Sequence, residues 1–137
     1  MRQVRVYTAS KLHHAALWRG LRETNPGIYF TARWPFFAGA VSDSSDAAEY
    51  FWQDDLADVL RSDVVLVYAL SGEKLRGALV EVGAALSLGR VVYVVGKHED
   101  YGTWQYHPNV VRVGTLDKAL EELVTLRASI IGRSGCP

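Results

Sequence analysis

The sequence predicts an α/β fold, a flavodoxin-like or Rossmann-like three-layer sandwich built on a five-stranded, mostly parallel sheet. Apolar runs of strand length alternate along the chain with longer segments whose apolar residues recur at helical spacing. One run, Val64–Val67, has no polar residue and is rich in valine, which is typical of a strand buried on both faces. Because such an alternation joins parallel strands through helices, we expect helices on both faces of the sheet.

The first half of the chain should supply two strands and two helices. An apolar strand is expected at 4–9, and the helix after it should end at 25–27, an Asn-Pro-Gly run. A second short strand is expected at 28–32. Asp46 is then a good N-cap for the second helix, since Glu49 follows three residues later and completes a capping box.

The second half should continue the same alternation. Strands are expected at 63–70, 91–95 and 110–113. The helix between the first two of these, at 77–88, consists mainly of small and apolar residues and should end at Gly89. Thr115 is a suitable cap for a last helix that we expect to reach about Arg127.

Composition limits the class of protein. The length of 137 residues suits one domain, which we place at 1–127, with 128–137 as a flexible C-terminal tail. Fifteen basic residues balance fifteen acidic ones without a long run of either sign, which argues against a nucleic-acid polymer or an anionic membrane as partner. The single cysteine, Cys136, excludes an internal disulfide and favours the reducing cytoplasm. We expect no signal peptide, and no apolar stretch reaches the roughly 18 residues of a membrane span.

Ligands of parallel sheets bind beyond the carboxyl ends of the strands, near the point where the strand order reverses. The expected ligand loops are therefore 7–10, 71–77 and 97–107. Glu81 follows one of them, and its neighbours at helical spacing are small: Gly77, Ala78, Ala84 and Ala85. Such a face leaves room for a ligand, and the nearby helix N-terminus favours the ionised carboxylate. The alternative is an ordinary exposed helix glutamate.

Other acids and one tyrosine are weaker candidates. Asp54, Asp55 and Asp58 share one predicted helix, and Asp63 begins the next strand. One of them could donate to or orient a substrate group, whereas a solvated helix face or helix end is the alternative for each. Tyr7 lies near the end of the first strand and is either a site residue or a core tyrosine.

The aromatic and histidine residues also allow alternative interpretations. Five aromatic residues in two predicted loops could form a stacking pocket for a flat base or a hydrophobic cluster under the loops: Trp34, Phe36, Phe37, Trp104 and Tyr106. The glycines match neither the dinucleotide fingerprint nor a phosphate loop, so no cofactor is expected. Since His13 and His14 are adjacent, they should point in different directions on a helix, and we expect no metal site.

Several of these segments together resemble the nucleoside 2-deoxyribosyltransferase family. The similarity spans most of residues 4–125. The matching segments, in chain order, are the strand-end Tyr7, Asp54-Asp55-Leu56, Ser62-Asp63 with the strand to Tyr68, the signature Gly77-x-x-x-Glu81-Val82-Gly83-x-Ala85, and Glu99-Asp100-Tyr101-Gly102. The signature corresponds to the family's glutamate-x-glycine-x-alanine motif.

The resemblance implies a glycosyl-transfer site. Glu81 would attack the sugar C1′, Asp55 would contact the sugar or the leaving base, and Tyr7 would hold the nucleophile's carboxylate. Substrate contacts are expected from Thr8, Ala9, Trp34, Ser71, Arg76, Gly77, Gln105 and Tyr106. Attack on the glycosyl ester by a second base gives exchange with retention, and attack by water gives hydrolysis. In the family a neighbouring subunit helps complete the pocket, so we expect a homo-oligomer in which Gln105 or Tyr106 plays that part.

The sequence departs from the family pattern just before the signature. The transferases often carry an acidic residue there and the related nucleotide hydrolases a serine, whereas this chain has Lys74-Leu75-Arg76, with Ser71 nearby. Three functions therefore stay open. The first is a nucleoside 2-deoxyribosyltransferase acting on nucleosides and nucleobases. The second is a hydrolase of nucleoside 5′-monophosphates in which Arg76 binds the phosphate, and the third is a nucleotide-binding module without turnover.

Overall fold

The computed structural model describes residues 3–37, 45–96 and 101–134 and shows five parallel strands with flanking helices. The strands are β1 (Val4–Ala9), β2 (Ile28–Phe30), β3 (Val64–Val67), β4 (Val91–Val95) and β5 (Val110–Val113). The α-helices are α1 (Ala15–Thr24), α2 (Ser45–Leu60), α3 (Gly77–Ser87) and α4 (Leu116–Ser134), and 3₁₀ turns lie at Leu12–His14, Trp34–Phe36 and Thr103–Tyr106. Within the described ranges, none of the helices combines the length and the apolar character that a membrane span requires.

The strand order β2-β1-β3-β4-β5, with every neighbouring pair parallel, confirms the predicted flavodoxin-like three-layer fold. All four residues of β3 are fully buried, as their unbroken apolar character requires of a central strand. Helices α2 and α3 pack against each other, α3 packs on β3 and β4, and α4 packs on β1. The chain moves outward from β1 to β2 and then returns to the other side of β1 as β3. The switch point, and the ligand edge with it, therefore lies between β1 and β3.

The limits of some elements differ from the prediction. Strand β3 ends at Val67 rather than at 70, because its ladder with β1 ends at the Ala9↔Val67 pair and the chain then turns. Strand β2 similarly ends at Phe30 rather than at 32. Helix α4 was predicted to end near Arg127 but continues to Ser134, since no proline interrupts this part of the sequence.

Two predicted features fall partly outside the described part of the chain. Helix α2 begins at Ser45, one residue before the predicted N-cap Asp46. The side chain of Asp46, and with it the capping box, is outside what the structure describes. Residues 99 and 100, which belong to one of the family-like segments, are also outside it.

Candidate active site

The centre of the site is a contact between β1 and α3 behind the switch point. Tyr7 is fully buried in β1, and its hydroxyl donates a hydrogen bond to Glu81 Oε2 on α3. Glu81 is itself only 6% exposed. A carboxyl group buried this deeply is uncommon, because a charged form loses its hydration. Glu81 is therefore not the ordinary exposed helix glutamate that was its alternative interpretation.

Glu81 faces a cavity of about 300 Å³. The cavity lies between the segment after β1, helix α2 and the start of α3. Its walls are formed by Ser10, Lys11, Leu12, Trp34, Phe51, Trp52, Asp55, Leu75, Arg76, Gly77, Ala78 and Glu81. Two acids, two cations and several aromatic rings thus share one concave surface at the edge of the sheet where ligands of this fold bind.

The two acids of the cavity hold their protons unusually strongly. Burial raises the pKa of Glu81 to about 8, although the hydrogen bond from Tyr7 lowers it and the nearby Asp55 raises it further. Burial, with the charges of Asp58 and Asp54, raises the pKa of Asp55 to about 6, against the opposing effect of Arg33. Burial and the charge of Glu81 also raise the pKa of Tyr7, so its phenol stays protonated and acts as the donor.

These values correct the expected charge of Glu81. The position near the helix N-terminus predicted an ionised carboxylate at rest, whereas burial raises the pKa of Glu81 to about 8. Near neutral pH the free protein therefore keeps most Glu81 side chains protonated. Asp55, with its lower pKa, is the acid of the pair that is mainly ionised.

The predicted site residues divide into two groups. Glu81, Asp55, Arg76, Gly77 and Trp34 all line the cavity, and Tyr7 lies directly behind it against Glu81. The others lie elsewhere: Thr8, Ala9, Ser71, Gln105 and Tyr106 do not line this cavity. The cavity lies at the carboxyl edge of the sheet, where the sequence predicted a ligand, and the substrate contacts of these residues stay predictions.

Each of these other residues has a structural setting of its own. Thr8 and Ala9 are buried within β1, and the Thr8 carbonyl accepts a hydrogen bond from Trp34 Nε1 at 2.8 Å. Ser71 is exposed in the turn after β3. Gln105 and Tyr106 belong to the 3₁₀ turn before β5, where the Arg112 guanidinium lies 4.6 Å from the centre of the Tyr106 ring. Trp34 therefore reaches the cavity from a position that the Thr8 backbone fixes.

The aromatic residues do not form the single stacking pocket that the sequence suggested. Of the five candidates, Trp34 alone lines the cavity. Phe36 and Phe37 are half exposed, and Trp104 stacks on Tyr101 with ring centres 5.5 Å apart. The aromatic walls of the cavity come mainly from α2 instead, as Phe51 and Trp52.

Trp52 is the cavity residue that the sequence interpretation missed most clearly. It stands three residues before Asp55, so helical spacing places both on one face of α2. Its ring packs against the start of α3 so closely that a Cβ atom at Gly77 would lie 3.2 Å from ring atoms. The glycine of the signature therefore has a packing reason, and the spacing of Trp52 and Asp55 was the signal available in the sequence.

The remaining aspartates are held by arginines. Asp58 is fully buried, and its carboxylate accepts hydrogen bonds from the backbone N–H and guanidinium of Arg33 and from Arg61 Nη2 at 2.6 Å. Asp63 pairs with Arg5 at 2.8 Å, joining the start of β3 to β1. Asp55 is the member of the set that lines the cavity.

The two adjacent histidines correct another expectation. They were predicted to point in different directions, but both reach the carboxylate of Glu73. His13 and His14 lie in a 3₁₀ turn rather than in an α-helix, and the centres of their rings are 4.1 Å apart. The orientation of the two histidine rings therefore does not exclude a metal site.

Fold and cavity together define a flavodoxin-like α/β protein with a two-acid pocket at its switch point. No protein-family model and no curated protein matches the sequence. Solved structures do share the fold. A conserved protein from Enterococcus faecalis V583 matches with a TM-score of 0.59 at 17% identity, over 92% of this chain and 99% of that one. The CMP N-glycosidase BcmB of Clostridium botulinum matches with a TM-score of 0.53 at 13% identity, over 87% of this chain and 97% of its own. At these identities the likeness establishes the fold.

Proposed function

We propose that the protein cleaves the N-glycosidic bond of a nucleoside 5′-monophosphate, with Glu81 as the nucleophile. The observation that carries the proposal is the buried Glu81 carboxyl, which Tyr7 holds at one oxygen while the side chain faces a cavity that also contains Asp55. A positioned carboxylate can trap an oxocarbenium-like sugar carbon as a covalent ester. Retaining glycosidases use such a pair of acids, one as nucleophile and one as proton donor.

The protonation states suit this division of labour. Near pH 7 the pair holds about one proton, mostly on Glu81, because the two pKa values are about 8 and about 6. Transfer of that proton to Asp55 creates a nucleophilic Glu81 carboxylate and an acid at the same time. Glu81 then bonds to C1′ while the bond to the base breaks, and the base leaves with the electron pair and the proton from Asp55.

The second half of the reaction reverses the roles. Water attacks C1′ of the glycosyl ester, Asp55 takes a proton from it, and Glu81 leaves as the carboxylate. The Tyr7 hydroxyl stabilises that carboxylate in both steps, since a phenol with a raised pKa donates without losing its proton. Tyr7 is thus a positioning residue in this scheme.

The residues that form the cavity walls favour a substrate that carries a phosphate group. Lys11 and Arg76 both line it, and neither forms a salt bridge within the residues that the structure describes. An arginine can bind a phosphate through two parallel N–H donors. Trp34, Phe51 and Trp52 offer flat apolar surfaces for the base. The CMP N-glycosidase with the same fold acts on a nucleotide, which agrees with this choice.

Transfer of 2-deoxyribose to another nucleobase is the second candidate. It rests on the sequence resemblance and on the aromatic walls, which could hold an acceptor base where the first base has left. The first half-reaction is the same, so the acceptor alone separates the two functions. A water-accepting enzyme releases free sugar phosphate, and a transferase forms a new nucleoside.

Oligomerisation and location belong to the same proposal. Tyr106 is 70% exposed, a large aromatic surface near the sheet edge that a neighbouring subunit could use. We expect a homo-oligomer in which Gln105 or Tyr106 reaches the pocket of a neighbour, in a reducing cytoplasm. Sedimentation of the wild type and of Tyr106→Ala measures this, and a wild type that stays monomeric at working concentration contradicts it.

The deciding experiment is chromatographic product analysis. The protein is incubated with a panel of nucleosides and 5′-monophosphates, of ribose and deoxyribose type, with and without an added base. Free base with sugar phosphate from the monophosphates supports the hydrolase, and base exchange supports the transferase. Absence of cleavage for the whole panel, with ligand-induced thermal stabilisation, contradicts both and indicates a binding module.

The phosphate contact has its own matched test. Arg76→Ala should lower kcat/KM for a monophosphate at least about tenfold more than for the matching nucleoside, since a charged hydrogen bond is lost. Lys118→Ala, on the exposed face of α4, is the control and should change neither. Equal losses for nucleotide and nucleoside in Arg76→Ala contradict phosphate binding at this residue.

A further inference from the structure

A second cluster of chemically active side chains lies beside the cavity, formed by His13, His14 and Glu73, here called the His–Glu cluster. His13 Nε2 lies 2.8 Å from Glu73 Oε2, and His14 Nε2 lies 2.9 Å from Oε1. One potential ligand atom from each of the three residues falls within 4.8 Å of the others. The catalytic scheme above uses none of the three.

The surroundings hold these groups in place. The side chain of His14 is largely buried, and its ring packs edge-on against Tyr68 with centres 5.2 Å apart. Glu73 Oε1 also accepts a hydrogen bond from the Leu70 backbone N–H at 2.6 Å. Burial alone would raise the pKa of Glu73, but this bond, the His14 bond and the charges of both histidines keep it below its usual range. His13 is 64% exposed and leaves the cluster open to solvent on one side.

The chemistry of the donors matches one class of ion. Two imidazoles and a carboxylate are a known ligand set of open zinc sites, which keep a fourth position for water. Magnesium and calcium prefer oxygen ligands, so the two nitrogens argue against them. Zinc–ligand bonds of about 2.0–2.2 Å in tetrahedral geometry need ligand atoms roughly 3.3 Å apart. The observed contacts, below 3 Å, would have to widen only slightly.

We propose that the His–Glu cluster binds a divalent transition-metal ion of the zinc class through His13 Nε2, His14 Nε2 and the Glu73 carboxylate. The ion would join the segment after β1 to the segment after β3. Both segments supply walls of the cavity, Lys11 and Leu12 from the first and Leu75 and Arg76 from the second. A bound ion would therefore hold together two segments that form walls of the cavity. The proposal does not depend on which reaction the cavity performs.

Ion binding is tested on the untagged full-length chain after chelator treatment. Titration with Zn²⁺ in a calorimeter should show one ion per chain, and the unfolding temperature should rise with free Zn²⁺. Bound Co²⁺ should give the visible absorption of a tetrahedral nitrogen–oxygen site. No saturable binding, or no shift of the unfolding temperature, overturns the proposal.

Substitutions at the proposed ligands, compared with substitutions elsewhere, test where the ion binds. His13→Ala is the key change, because this exposed side chain can be removed without opening the core, and Zn²⁺ affinity should fall at least about tenfold. Glu73→Gln should weaken binding similarly while it keeps an acceptor for Leu70. His107→Ala and Cys136→Ser are controls and should bind like the wild type. Unchanged affinity in His13→Ala, or loss of binding in either control, overturns the assignment.

Discussion

Two buried acids of this protein have opposite surroundings. Asp58 on α2 is fully buried, and its carboxylate meets the guanidinium groups of Arg33 and Arg61. Glu81 on α3 is almost as deeply buried, but its neighbours are a phenol and another acid. The first arrangement neutralises the charge and joins the loop before α2 to the helix. The second raises the pKa towards neutrality and produces a group ready to exchange a proton.

Burial of an acid therefore does not by itself mark an active site. Desolvation acts on both carboxyls, and the partner decides the outcome. Arginines offset the cost of burying Asp58, whereas Glu81 has no such partner and its burial costs stability once it ionises.

The largest effect should come from Glu81→Gln, which keeps the side-chain shape and removes the nucleophile. Cleavage of any substrate that the wild type turns over should fall by about 10³-fold or more. Product formation is measured by chromatography, and circular dichroism checks the fold. Glu23→Gln, on the exposed face of α1, is the matched control and should keep the wild-type rate. If Glu81→Gln retains most of the wild-type activity, Glu81 is not the nucleophile.

Asp58→Ala should instead reduce stability, by about 3 kcal/mol, because two arginines and a backbone N–H lose their acceptor. Urea unfolding measures it as a lower midpoint with an unchanged slope. Asp54→Ala is the control on the same helix. Its carboxylate is partly exposed and lies 3.4 Å from Arg33 Nη2, so its loss should cost less than about 1 kcal/mol. Equal losses of stability in Asp58→Ala and Asp54→Ala would show that the buried ion pairs of Asp58 contribute no more than the partly exposed pair of Asp54.

Glu81→Gln should instead increase the stability of the folded protein, in a way that depends on pH. The folded pKa of about 8 lies above the ordinary value of 4.5, so Glu81 destabilises the wild type progressively as pH rises from 4.5 to 8. At pH 8 the variant should therefore have a larger free energy of unfolding than the wild type, by about 4 kcal/mol, and the difference should shrink towards pH 4.5. Thermal melts across this range measure the difference. A difference that does not change with pH contradicts the raised pKa.

The pH profile of kcat/KM separates the roles of the two cavity acids. If one must be protonated and the other ionised, the profile is bell-shaped, with limbs near pH 6 and pH 8 and a fall of about tenfold per unit beyond them. Asp55→Asn should remove the alkaline limb and leave a plateau. A wild-type profile that already reaches a plateau at high pH means that both acids work as carboxylates.

The smallest effect is expected from packing at the start of α3. Gly77→Ala pushes the Trp52 ring, which would lie 3.2 Å from the new Cβ, and should lower kcat/KM several-fold by reshaping the cavity. Gly83→Ala lies on the same helix, where a Cβ meets nothing within 4 Å. It should leave activity unchanged and stabilise by about 0.5–1 kcal/mol, since alanine is the better helix former. Similar losses of kcat/KM in Gly77→Ala and Gly83→Ala would show that the effect comes from the α3 backbone rather than from the Trp52 ring.

Sequence patterns predicted the sheet well and the cavity in part. Period and composition suffice for β1, β4 and β5, whose limits match, because an apolar run must be covered on both faces. Small helical neighbours made Glu81 a candidate, and the family resemblance gave Glu81, Asp55 and Tyr7 their roles, which stay predictions. Thr8 and Ala9, expected to contact the substrate, do not line the cavity, because the sequence indicated the end of the strand but not which way its side chains face.

Local patterns thus determined the order of elements, the parallel sheet and the edge at which a ligand would bind. Tertiary structure alone decided that Glu81 is buried against Tyr7 and mostly protonated, that Asp58 is paired with arginines, and that His13 and His14 converge on Glu73. The two kinds of feature differ because they depend on residues at different separations along the chain. Hydrophobic periodicity is written in neighbouring residues, whereas desolvation and charge pairing depend on groups that the chain brings together from distant positions.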